Sequence, residues 1–213
     1  MNINTDAIQQ IAPDFTYVDV GRPFPEAKLV EPTTSGYLLV AAEVDRRPMF
    51  LPTSRPKRLL LRRVNRLLST LNTDERVLEG VAFDGLLAPP GRGELLKHRP
   101  GVPIARFDVA VLVETTSPAT AAELESEPPW GELVATIDAA SRRSYHLRGH
   151  NVRRMGPVDH RRQGVFLFNY FYADRTDRNL AAWQSPPAGS PTRPGWTTRP
   201  CCCPTTPASP ATG

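Results

Sequence analysis

The sequence predicts an α+β protein built on a ferredoxin-like βαββαβ unit. Three observations carry that prediction. A long amphipathic helix is written over 57–72. A strand of two-residue alternation is written over 105–116. The third observation is the order of all the patterned segments, which runs strand, helix, strand, strand, helix, strand.

Taken along the chain, "GYLLVAAEV" at 36–44 is a near-continuous apolar run, as expected of a strand buried on both faces. In "RPKRLLLRRVNRLLSTLN", Leu60, Leu61, Val64, Leu67, Leu68 and Leu71 recur at helical spacing, and Leu60, Val64, Leu67 and Leu71 are the expected packing face. Lys57, Arg58, Arg62, Arg63 and Arg66 are assigned to the solvent side, and Pro56 suits a first helical turn. "RVLEGVAFDGLL" at 76–87 reads as the second strand. In the third, "ARFDVAVLVETT", alternation puts Phe107, Val109, Val111 and Val113 on one face and Asp108, Ala110 and Leu112 on the other. Ser117 and Pro118 read as N-cap and first residue of the next helix, which Pro128 and Pro129 break in two. "YHLRGHNVRR" at 145–154 is the expected fourth strand.

Outside this unit the patterning is thinner. Residues 1–36 form a proline-rich extension with a short extended piece, "FTYVDV", at 15–20. "GVFLFNYFYAD" at 164–174 reads as a strand apolar on both faces, and "RTDRNLAAWQ" as the start of a helix. The organisation expected is therefore an extension at 1–36, a ferredoxin-like repeat at 37–155, the opening strand and helix of a second repeat at 156–184, and a tail at 185–213.

The tail holds every cysteine of the chain, Cys201, Cys202 and Cys203, among Pro, Thr, Ser and Ala, with no Val, Ile, Leu, Asp, Glu or Lys. Such a composition cannot bury enough surface to offset the entropy of ordering. It reads either as a disordered linker or as a frame-shifted segment, since GC-rich codons for "RPCCCP" spell Thr-Val-Leu-Leu-Pro in another frame. Adjacent cysteines lack the gaps that let thiolates converge on zinc. No metal site is expected. The polar first residues lack a signal-peptide pattern, and no apolar run is of membrane-spanning length, so a cytoplasmic protein without a membrane partner is expected.

The formal net charge is +4, and the excess is local. Between 141 and 162 lie Arg142, Arg143, Arg148, Arg153, Arg154, Arg161 and Arg162 against Asp159 alone. Arg148, Arg153 and Arg154, with His150 and with Tyr170 from the aromatic face of 164–174, are the ligand-binding candidates, since guanidinium forks suit carboxylates and phosphates. The competing reading is a charged sheet edge that blocks pairing with other chains. Only Tyr145 offers a stacking platform in this cluster, so nucleic acid is not expected as a partner. Glu43, Asp84, Asp108 and Glu114 lie on or near strands. Asp108 is the candidate catalytic base, provided its face lines a cavity. His146, His150 and His160 leave room for a haem alternative, and no cofactor is otherwise expected.

With this element order over 37–184 and the aromatic strand entering a helix in "VFLFNYFYADRTDRNLAAWQ", the chain resembles the dimeric α/β-barrel superfamily, in the style of its tandem-repeat members. The resemblance implies two sheets face to face, helices outside and a cavity between. It implies a homo-oligomer with a small hydrophobic or anionic ligand, and either an enzyme-like protein or a non-catalytic interaction module. No family catalytic motif is present, so it assigns no catalytic residue.

Overall fold

The computed structural model describes residues 30–45, 51–86, 105–154, 156, 158–160, 164–168, 170 and 201–204, the last four and Arg153 through their backbone. The chain divides into two compact units: Pro32–Val152 with Cys201–Gly213, and Met1–Glu31 with Arg153–Pro200.

The first unit holds β1 (Gly36–Glu43), α1 (Arg55–Leu71), β2 (Val77–Asp84), β3 (Val109–Thr115), α2 (Pro118–Glu125), α3 (Pro128–Asp138), β4 (Arg143–Arg153) and β5 (Cys201–Pro204). The sheet runs β2-β3-β1-β4-β5, and β1 pairs antiparallel with both β3 and β4, as β2 does with β3. Without β5 this is the split βαβ order of a ferredoxin-like sheet. The fold class expected from the sequence is the fold observed.

All residues of β1 are buried. Leu38, Val40 and Ala42 face the helices and sit opposite Val113, Val111 and Val109 of β3. Onto this layer α1 packs Leu60, Val64, Leu68 and Leu71, while α2 adds Leu124 and α3 adds Leu133 and Ile137. The helices start where their caps allow. Ser54 Oγ accepts from the Lys57 amide at 3.3 Å, and Ser117 Oγ from the Thr120 amide at 3.1 Å. Gly36 has no alternative there, because a Cβ on it would lie 2.7 Å from Pro118 Cα beneath the start of α2.

An ion network ties the α1–β2 turn to the start of α3. Arg76 pairs through Nη1 with Glu127 Oε1 at 2.7 Å, through Nη2 with Glu127 Oε2 at 2.8 Å, and with Asp74 at 2.7 Å. The Arg76 guanidinium holds the Asp74 carboxyl down to about 2 and that of Glu127 below its usual range.

Three expectations are corrected. Leu67 is only partly buried, and Leu68 takes its place in the core. Lys57, assigned to solvent, is buried. Residues 164–168 and 170 of the expected strand at 164–174 join no strand, although Phe168 and Tyr170 stack at 6.3 Å. Their apolar alternation matches a strand, but no described strand pairs with them, and Val165 and Leu167 stay exposed. Within the tail, Cys201–Pro204 form β5, a four-residue strand that lies next to β4 in the sheet. Pairing satisfies the backbone of an edge whatever its side chains are. The extended piece at 15–20 and the helix after 174 lie outside the described residues.

The burial difference between adjacent leucines is testable. Leu68→Ala should cost about 2–5 kcal/mol, the range for emptying a fully buried leucine site. Leu67→Ala should cost less than half as much. Equal losses in urea melts of the two variants would mean that the face of α1 has been misassigned.

Candidate functional site

The helices cover one face of the sheet, and the ladder registers define the other. Three rows cross β2, β3, β1 and β4 there. The first is Glu79, Glu114, Tyr37, Gly149; the second Val81, Leu112, Leu39, Leu147; the third Phe83, Ala110, Ala41, Tyr145. Each row has its own chemistry. The first is polar, the second aliphatic, and in the third two alanines lie between two aromatic side chains.

In the polar row the buried Tyr37 hydroxyl donates to Glu114 Oε1 at 2.9 Å. Thr33 Oγ1, from the segment before β1, lies 3.3 Å from the same hydroxyl. Asn151 of β4, itself buried, donates through Nδ2 to Thr33 Oγ1 at 3.5 Å. Four polar side chains from four separate segments thus converge at one end of an apolar face. Glu79 stands directly opposite Glu114, and like charges at such a position weaken strand pairing. A bulge between Val77 and Glu79 brings Glu79 into that register.

In the third row Ala41 and Ala110 make a floor with almost no side chain. Phe83 and Tyr145 stand at its two sides, three interstrand spacings or roughly 14 Å apart at the backbone. Tyr145 stacks on Phe107 with centroids 6.3 Å apart, and the Arg143 guanidinium lies 5.6 Å over the same Phe107 ring. Burial pushes the Tyr145 phenol up. Beyond this row Glu43, buried, sits opposite Arg143 with Oε2 and Nη2 4.0 Å apart.

Asp108 takes no part in this face. Its Oδ1 accepts from the Val44 amide at 2.6 Å and its Oδ2 from the Asp45 amide at 3.0 Å. Lys57 Nζ, from the first turn of α1, lies 3.1 Å from Asp108 Oδ2 and 2.6 Å from Asp84 Oδ1. Alternation fails just before Val109, so Phe107 turns toward Tyr145 and Asp108 toward α1. The carboxylate offered as a base is a clamp on the turn after β1, and the buried lysine is the counter-charge that makes its burial tolerable.

The ligand candidates are not one cluster. Arg148 lies on the helix side of β4, where it is ion-paired with Glu125, and His150 shares that side through its register with Gly36. His146, between Arg143 and Arg148, has Nε2 3.1 Å from Asp138 Oδ1. Arg154 and Tyr170 belong to the other unit. There Arg154 bridges Val30 and donates from Nε to the Gly156 carbonyl at 3.3 Å. Arg153 is described through its backbone only. Among the described residues no group of three or more His, Cys, Asp or Glu could hold a metal ion, and no helix is long and apolar enough to cross a membrane. In the sequence Tyr37 carries no site signal, because it opens an apolar run. Its partner is 77 positions away, so only the register of β1 on β3 reveals the pair.

No protein-family model and no curated relative matches the chain. Solved structures similar to it include a dimeric protein of unknown function with a ferredoxin-like fold from Bacteroides fragilis NCTC 9343, 7% identical over 56% of this chain and 99% of that one, with a TM-score of 0.39. Another is a dimeric ferredoxin-like protein of unknown function from Jannaschia sp. CCS1, 14% identical over 54% of this chain and 96% of that one, with a TM-score of 0.34. A third is the hydroxynitrile lyase of Passiflora edulis, 14% identical over 55% and 93%, with a TM-score of 0.35. No activity passes from these likenesses to this chain.

The Lys57 clamp yields a prediction. Lys57→Met should cost about 3 kcal/mol, the low end for breaking a buried pair because Asp84 is half-exposed. Arg58→Met, one residue along on the solvent face, should stay within about 0.5 kcal/mol of the parent. Equal melting of the two variants would show that Lys57 carries no buried pair.

Proposed function

We propose that this chain binds a planar, mostly apolar small molecule of two or three fused rings, bearing a hydroxyl or carbonyl group, on the sheet face opposite the helices. The observation that carries the reading is the convergence of Tyr37, Glu114, Thr33 and Asn151 at one end of a face whose middle rows are aliphatic and aromatic. Few polar groups placed on an apolar surface are how small-molecule sites fix orientation. The alanine floor between Phe83 and Tyr145 suits an aromatic ring, which would stack or meet edges there. From Ala41 back to Tyr37 is four residues of strand, roughly 13 Å, about the length of such a molecule. Tyr37 would exchange hydrogen bonds with the ligand oxygen. Glu114, already its acceptor, would orient the phenol and could receive its proton.

A hydroxylated anthraquinone, with the unsubstituted ring system as control, tests the reading by quenching of intrinsic fluorescence. Tyr37→Phe should weaken the hydroxylated probe about tenfold, the worth of one hydrogen bond, and leave the control unchanged. Ala110→Leu should fill the floor and weaken both. Failure of either probe to bind at millimolar concentration, or equal binding to Ala110→Leu, would rule the site out.

Self-association is the second part of the proposal, in keeping with the homo-oligomer the sequence resemblance implies. Val165 and Leu167 support it, being exposed at 70% and 53% in an otherwise aromatic segment. Light scattering across a hundredfold range of concentration should show a mass above 23.5 kDa that falls when both become Ser. A constant monomer mass would exclude it.

A further inference from the structure

Independently of the ligand face, we propose that the outward face of α1 docks on the phosphodiester backbone of a double-stranded nucleic acid without reading its sequence. Arg55, Arg58, Arg62 and Arg66 recur at intervals of three, four and four, all exposed, directly opposite the buried line Leu60, Val64, Leu68 and Leu71. They extend over eleven residue steps, about 16 Å of helix, with successive rises of about 6 Å between Arg58, Arg62 and Arg66. None of the four has an ion-pair partner among the described residues. Arg63 beside them reaches Glu132 only at 3.9 Å, with both side chains exposed.

The stripe breaks the rules that govern a helix face merely exposed to water. Such faces mix signs at i and i+4, whereas this helix contains no Asp or Glu, and Arg58–Arg62 and Arg62–Arg66 are like-charge pairs at that spacing. Arg55 and Arg58 stand in the first turn, where the helix dipole disfavours cations, and no acidic residue accompanies them. The one lysine of the helix is withdrawn into the Asp84–Asp108 clamp, so the exposed charge is all guanidinium, whose fork matches phosphate oxygens. An uncompensated row of one sign is costly to the isolated chain and favourable against an extended anion.

The make-up of α1 also separates the kinds of anion. A helix that lies on a lipid surface buries an apolar face in the headgroups. The apolar face of α1 is inside the core, and Leu59 is the one large apolar side chain exposed on it. Single strands are held by stacking, and the stripe carries no aromatic residue. A duplex backbone needs neither. This departs from the sequence expectation of no nucleic-acid partner, which rested on the arginines of 142–162.

Fluorescence anisotropy of a labelled 30-base-pair DNA duplex of arbitrary sequence tests the proposal on the full chain. Binding should weaken about 100-fold between 50 and 200 mM salt, with a log–log slope near −3.6, the value for about four neutralised phosphates. The variant Arg55→Gln/Arg58→Gln/Arg62→Gln/Arg66→Gln should lose that binding while melting no lower than the parent, because like-charge repulsion is relieved. Arg161→Gln/Arg162→Gln should keep it. No duplex binding at 50 mM salt, or binding that survives the fourfold variant, would overturn the proposal. So would preference for phosphatidylserine vesicles over the duplex.

Discussion

Strand β1 is buried on both faces along its whole length, and that double burial constrains everything around it. A strand with no wet face must be paired on both edges, which β3 and β4 do, and must be covered above and below. The helix layer follows from this on one side: α1 could not leave its leucines in water, and the valines of β1 and β3 are the surface they meet. On the other side the same demand falls on Tyr37 and Glu43, the two residues of β1 that carry polar groups. A buried hydroxyl or carboxylate without a partner costs roughly 1–3 kcal/mol or more. Hence Glu114 and Arg143 stand where they do, one at each end of that face.

The same logic explains why the two ends differ. At the Tyr37 end neutral hydroxyls and an amide surround the Glu114 carboxylate, with Glu79 opposite it, an arrangement that can exchange partners with a ligand oxygen. At the Glu43 end a buried carboxylate faces a guanidinium that also lies over Phe107. Such a pair is expensive to break, because either partner alone would be an uncompensated charge. The first end is suited to recognition and the second to holding the sheet edge.

Patterns of local periodicity were legible in the sequence, and contacts across long separations were not. The helix of 57–72, the N-cap Ser117 and the break at Pro128 follow from spacing and capping chemistry, whereas the cap Ser54 is visible only in the structure. Leu67 and Leu68 are neighbours at 100° on the helix, so the choice between them depended on where the sheet lies. Lys57 could not be read as buried, since a lysine in a helix reads as wet until Asp84 and Asp108 arrive from 27 and 51 residues away. For Asp108 the alternation of its strand was extended one residue too far. The arginines of 142–162 looked like a cluster in the linear chain. Alternation along β4 sends Arg143 and Arg148 to opposite faces, where Glu43 and Glu125 meet them.

The aromatic run at 164–170 shows the limit of pattern most clearly. Phe166, Phe168 and Tyr170 alternate as a strand should, and Phe168 and Tyr170 stack, yet no described strand pairs with them. Alternation states which faces a strand would have; it does not supply the neighbour whose backbone must complete the ladder. The three cysteines make the reverse case. Nothing in "PCCCP" alternates, but a sheet edge asks only for extended backbone, and β4 had one to offer. Pairing partner, more than side-chain pattern, decided which of these two segments became a strand.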